Sequence, residues 1–212
     1  MLDNRRVYRM SEAGSCPRVL SALRLGNEPV PESESQLRLL EHATKHERLV
    51  AETLEDEGYE IQREELCIEC MRENIDRNGI HTEFTTPLIR LVGHLDGRIE
   101  ADDKRFYPLE IKSLGRFTFD KFKREKFDSF PEYASQEACY LKSENSPGFY
   151  VVMSRDTGEM IKLAIPLDGK VAELKGFDLC KLPITADEVI DRLHLVELDV
   201  QEEKLSLGTY DE

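Results

Sequence analysis

The chain has 212 residues, a formal net charge of −14, 40% hydrophobic and 34% charged residues. This is long enough for a single domain with a proper core, ordinary for a globular chain with a wet surface, and without any apolar run near the ~18 residues a membrane span needs. The acidic balance argues against a nucleic-acid partner until its distribution is considered, since phosphate binding normally needs a basic surface.

The first residues, Met1-Leu2-Asp3-Asn4-Arg5-Arg6, have no apolar segment behind them, so no signal peptide is expected. Five cysteines without disulfide-framework spacing suit a reducing compartment, and a cytoplasmic location is expected.

In chain order, Ser11 caps an expected helix over 13–25, closed by Gly26, with Pro17 hinting at a break or restart. A long helix is expected over 35–57, stopped by Gly58, with Leu39, Ala43, Val50 and Leu54 as its apolar stripe. His46 lies within that stripe and points inward, either as a satisfied core residue or as a metal ligand delivered onto a sheet. From Tyr59 the pattern turns to strand: 59–69, a polar loop with Asn78-Gly79, then 88–99 and 106–112. Cys67 and Cys70 form a C-x-x-C pair, but Cys16, Cys139 and Cys180 are scattered singly, so strand packing is expected there rather than a four-ligand metal site.

Residues 115–127 set Phe117, Phe119, Phe122 and Phe127 among lysines and arginines, as a helix or as a loop with aromatics beneath a basic rim. Pro131 opens a further helix carrying Gln136 and Tyr140 four apart on one face. Residues 149–154 and 160–166 flank Asp156-Thr157-Gly158, a hairpin signal. From Thr185 a short helix and an acidic tail are expected. The boundaries read as an N-terminal helical segment 1–57, a core 58–166, and a C-terminal helix and tail 167–212.

The chemistry concentrates between Gly93 and Lys112. Ile89, Leu91, Leu95 and Ile99 share one strand face, with His94, Asp96 and Arg98 on the other. In the next strand Leu109 and Ile111 oppose Glu110 and Lys112. If these strands pair, Asp96, Glu110 and Lys112 converge as two carboxylates and an ammonium, a hard-cation site with a general base or electrophile beside it. The basic residues also cluster nearby: from Lys104 to Lys126 eight stand against three acidic ones, including Arg116, Lys121, Lys123 and Arg124. Such a local funnel is possible in an acidic protein, as is a merely solvated face.

The order helix-borne His46, Asp96, Glu110-Ile111-Lys112, then Gln136-Glu137-Ala138-Cys139-Tyr140 resembles the RecB-type branch of the PD-(D/E)xK nuclease superfamily, over roughly residues 11–166. It is most similar to the small phage and CRISPR-associated exonucleases. The resemblance implies a restriction-endonuclease-like α/β core, a mixed central β-sheet flanked by helices. It implies that His46, Asp96, Glu110 and the Ile111 carbonyl hold magnesium or manganese, and that Lys112 orients or activates the attacking water. Gln136 and Tyr140 would sit at the DNA or bridge to the lysine, and Arg18 would meet the DNA backbone. Some relatives hold an iron–sulfur cluster through one early cysteine and three late ones. Here Cys16 matches the first but only Cys180 follows Tyr140, so no cluster is expected and Cys16 is expected to be a buried thiol.

The implied function is metal-dependent DNA exonuclease action in phage or bacterial recombination, replication or repair, with DNA and a recombination or replication protein as partners and no membrane. The alternatives are an endonuclease, or a non-catalytic nucleic-acid- or partner-binding module on the same fold.

Overall fold

The structure is a computed structural model that describes residues 6–63, 67 and 79–208, without the side chains of 39, 40 and 44. Nine strands and five α-helices are assigned among these residues: β1 (Arg6–Arg9), α1 (Pro17–Arg24), α2 (Glu34–Asp56), β2 (Ile61–Gln62), β3 (Ile80–Thr85), β4 (Ile89–Leu95), β5 (Gly97–Glu100), β6 (Phe106–Leu114), α3 (Arg116–Glu125), α4 (Pro131–Glu144), β7 (Gly148–Ser154), β8 (Met160–Ile165), β9 (Asp178–Leu179) and α5 (Ala186–Gln201). The main sheet runs β2-β5-β6-β7-β8-β9, and a smaller one runs β1-β4-β3. β6 and β7 are parallel, whereas β5–β6 and β7–β8 are antiparallel, so the central sheet is mixed.

One extended ribbon joins the two sheets. The strand expected over 88–99 breaks at Asp96, its first half pairing in the small sheet and its second half in the large one. Burial still alternates through the break, with Ile89, Leu91, Leu95 and Ile99 all buried. Leu95 nevertheless packs with Tyr8, Met10, Tyr140 and the α5 residues Leu193 and Val196, while Ile99 packs with Val50, Leu54, Leu109 and Ile111. A single apolar face therefore feeds two cores. Asp96 sits where the ribbon changes partners.

Helices cover both faces of the main sheet. Val50, Ala51 and Leu54 of α2 pack on Leu109, Ile111, Phe149 and Val151. Phe119 and Phe122 of α3, with Ala134 and Leu141 of α4, pack on Leu114, Tyr150, Val152 and Leu163 from the other side. Each of these two cores takes its residues from alternate positions of β6 and β7, as the period of a strand demands.

Several local expectations need revision. Ser11 belongs to a 3₁₀ turn, Met10–Glu12, and caps no helix; α1 starts only at Pro17, whose missing N–H costs nothing at a first helical position. α2 begins one residue earlier than expected, capped by Ser33 with Gln36 in a reciprocal box. In the predicted stripe Val50 and Leu54 are buried and Ala43 half-buried, while the Leu39 side chain lies outside the described residues. Of the strand expected over 59–69, only Ile61–Gln62 is strand among the described residues. Residues 115–127 form a helix followed by a 3₁₀ turn, burying Phe119, Phe122 and Phe127 but leaving Phe117 almost fully exposed. The C-terminal helix is long, capped by Thr185 with Glu188, and it buries Val189, Leu193, Val196 and Val200, so much of the expected acidic tail is core-forming.

Candidate active site

Pairing of β5 with β6 runs only as far as Gly97↔Leu109. From Glu110 onward β6 has lost β5 as a neighbour, and the fork is closed by a side chain: the Ile111 N–H donates to the Asp96 carboxylate at 2.7 Å. A strand residue presents its N–H and C=O to the same edge, so the Ile111 carbonyl is directed into this fork as well. Glu110 and Lys112 project from the β6 face opposite Ile111, as the alternation requires, and form an ion pair.

The α4 helix supplies the next layer. Gln136 donates from its amide to Glu110 at 2.9 Å and to the Tyr140 hydroxyl at 3.0 Å. Tyr140 in turn donates to the His94 carbonyl at 3.0 Å, two residues before Asp96. The four-residue spacing puts both groups on one helix face, and the relay ties α4 to β4 and β6. Gly93 permits this: a Cβ there would lie 2.4 Å from the Tyr140 ring. Tyr133, also on α4, has its ring 5.8 Å from the Lys112 ammonium.

The electrostatics are those of crowded acids. Burial, then the Asp96 charge, hold Glu110 well above the usual carboxylate range. Burial likewise raises Asp96, against the pull of Lys112 and of the Ile111 N–H. Burial opposes the charge on Lys112, but Glu110 and Asp96 outweigh it and keep the ammonium protonated. Two further acids join them. Burial and Asp96 push Glu47 up to about 7 and Glu137 up to about 8, each opposed by Lys112. Glu110 Oε2, Glu137 Oε2 and His46 Nδ1 are buried without a hydrogen-bond partner. Buried carboxylates crowded around the Asp96 charge, with oxygens left unsatisfied, form a donor set that suits a hard divalent cation.

The predicted residues thus divide. Asp96, Glu110, Ile111, Lys112, Gln136 and Tyr140 come together. His46 is half-buried on α2, but its neighbour Glu47 is the α2 group that couples to Asp96 and Lys112. Glu47 was missed, although Glu47, Val50, Ala51 and Leu54 follow the spacing of a buried helical face. Glu137 lies within the Gln136–Tyr140 motif, and the resemblance assigns it no role. Arg18 is exposed on α1. Arg116, Lys121, Lys123 and Arg124 are exposed on α3; Lys123 pairs with Glu159 at 2.5 Å, Arg124 lies 3.4 Å from Glu125, and Lys121 sits over the Phe130 ring. Cys16 is half-buried rather than buried, because it occupies the cap position before α1. Cys67 is fully buried but belongs to no strand, and Cys70 lies outside the described residues.

A mixed central sheet flanked by helices, with a side-chain-closed fork between adjacent strands, defines a restriction-endonuclease-like fold. The solved structures agree on that fold. An alkaline exonuclease (LHK-Exo) from Laribacter hongkongensis superposes with a TM-score of 0.54 at 10% identity, over 92% of this chain and 88% of that one. The crystal structure of SSO0001 superposes with a TM-score of 0.50 at 12% identity, over 99% of this chain and 82% of that one. No protein-family model matches the chain, and no curated protein matches it in sequence. Among the described residues no helix is long and apolar enough to cross a membrane.

Proposed function

We propose that this protein is a divalent-metal-dependent deoxyribonuclease acting as an exonuclease in phage or bacterial DNA recombination, replication or repair. The observation that carries the reading is the convergence of Asp96, Glu110 and Lys112 at the β5–β6 fork, backed by the Gln136–Tyr140 relay. That one structural neighbour is an alkaline exonuclease supports the exonuclease reading over a binding module.

Asp96, Glu110, the Ile111 carbonyl and His46 would hold magnesium or manganese, with Glu47 as a further α2 donor. When bound, such an ion supplies charge neutralisation at a phosphodiester and acidifies a water. The chain's own groups do the rest. The Asp96–Ile111 hydrogen bond fixes one carboxylate against the β6 backbone, and Gln136 fixes the other. The Lys112 ammonium, held charged by both acids, would orient a nucleophilic water or stabilise charge growing on a phosphoryl oxygen. Arg18 and the α3 residues Arg116, Lys121, Lys123 and Arg124 would meet the DNA backbone from outside the fork.

The test is digestion of end-labelled linear duplex, linear single-stranded and closed circular DNA with magnesium or manganese. Metal-dependent loss of the linear substrates with the circle spared is the expected result. Cleavage of the circle would make the protein an endonuclease, and no cleavage of any substrate would leave the binding module.

A further inference from the structure

The C-x-x-C cysteine that the active site does not absorb lies in an unexpected setting. Cys67 Sγ and one ring nitrogen from each of His81 and His94 lie within 4.8 Å of one another. The two histidines are directly opposed in the antiparallel β3–β4 pair, where side chains on one face stand close, and their rings meet edge to face with centroids 5.4 Å apart. Cys67, from the connection between β2 and β3, is fully buried beside them.

We infer that Cys67, His81 and His94 form a second metal site, selective for zinc or a similarly thiophilic divalent ion. Tetrahedral zinc bound by thiolate and imidazole keeps its ligands at about 2.0–2.3 Å, hence roughly 3.3–3.8 Å from one another. Side chains already within 4.8 Å reach that geometry by small rotations. A second observation points to a ligand. His81 Nε2 lies 3.4 Å from the Glu83 carboxylate, which is itself clamped by Arg90 at 2.6 Å, while His81 Nδ1 is buried with no hydrogen-bond partner. A carboxylate on one ring nitrogen sets the tautomer and presents the lone pair of the other, which is how proteins commonly orient a metal-bound histidine.

The donor set separates this site from the fork. One thiolate and two imidazoles are soft to borderline ligands, whereas Asp96 and Glu110 offer only hard oxygens. Three protein donors leave one tetrahedral position for water or a further ligand; the site stands on these three, since Cys70 lies outside the described residues. Metal here cross-links the β2–β3 connection to two strands. It also fixes His94, whose carbonyl receives the Tyr140 hydroxyl. The inference does not depend on the nuclease reading.

Cobalt reports the site directly, because a thiolate ligand gives a near-ultraviolet charge-transfer band and tetrahedral geometry gives intense visible absorption. Metal-stripped full-length protein is titrated with cobalt in excess magnesium, which occupies oxygen-ligand sites. The expected result is one equivalent bound with both signatures and displaced stoichiometrically by zinc. Cys67→Ser should lose the charge-transfer band, and His81→Gln should weaken cobalt binding tenfold or more. A wild-type titration without a thiolate band overturns the inference even if the variants fail to fold, and so does an unchanged band in Cys67→Ser.

Discussion

The β5–β6 fork and the Cys67–His81–His94 cluster lie on either side of one strand break, yet are built from opposite materials. The fork gathers carboxylates that burial and the Asp96 charge push up, and a lysine held charged among them. The cluster gathers a thiol and two imidazoles behind a carboxylate that orients one of them. The first arrangement is unfavourable without a cation. The second ties three chain segments together. Activity should therefore follow the hard site, and stability the soft one.

The largest expected effect separates the two by chelation. Weak removal of magnesium and manganese should abolish cleavage while leaving the melting temperature nearly unchanged. A chelator strong enough to extract zinc should lower the melting temperature by several degrees, about 2–4 °C for each kcal/mol lost in a chain of this size. Thermal scans and cleavage assays on the same samples check this, and equal melting under both treatments would erase the distinction.

The α2 helix offers the next test. His46→Ala should cost little fold stability but at least tenfold in manganese affinity, with excess manganese restoring part of the activity. Glu47→Gln should weaken manganese binding comparably if Glu47 shares the ion, because it removes a carboxylate that already feels the Asp96 charge. Titration of both variants ranks the two residues. Normal affinity in His46→Ala with a lowered melting point would return the histidine to the core.

A smaller effect concerns pH. Glu137, raised to about 8 mainly by burial, keeps its proton in the folded protein over a range where the unfolded chain has lost it. Its contribution to stability is complete below the ordinary carboxylate pKa of 4.5 and is lost as pH rises through about 8. Metal-free wild-type protein should therefore melt progressively lower from about pH 5 to about pH 9. Glu137→Gln, which mimics the protonated acid, should flatten that decline and melt higher at the alkaline end.

The smallest effect belongs to α3. Neutralising Arg116, Lys121, Lys123 and Arg124 together should weaken binding at every DNA sequence and flatten its salt dependence, each lost phosphate contact reducing the slope by ~0.9 on duplex DNA. Lys123 and Arg124 already have acidic partners, so a reduction of about two contacts is expected rather than four. An unchanged slope would make this a solvated face.

What could be read from the sequence follows the same division. Asp96, Glu110 and Lys112 were legible because strand alternation sorts them and a short connection joins β5 to β6. Gln136 and Tyr140 were legible because helical periodicity places them together. The break at Asp96 was hidden, since burial alternates straight through it and only the change of pairing partner reveals it. Glu47 was masked by the histidine beside it. The Cys67–His81–His94 cluster was illegible for another reason: His81 and His94 are joined by β3–β4 register, which no local pattern encodes, and Cys67 comes from the connection before β3. β1 and β9 were missed because four and two residues are too few to show a period.

In the proposed reading the fork performs phosphodiester hydrolysis with Lys112 beside the metal rather than on it. The most direct measurement is the single-turnover cleavage rate of Lys112→Ala on linear DNA, taken with its manganese and DNA affinities. The expected result is cleavage reduced by a factor on the order of 10³ or more, equivalent to roughly 4 kcal/mol of transition-state stabilisation, with both affinities largely kept. A near wild-type cleavage rate in that variant would contradict the account.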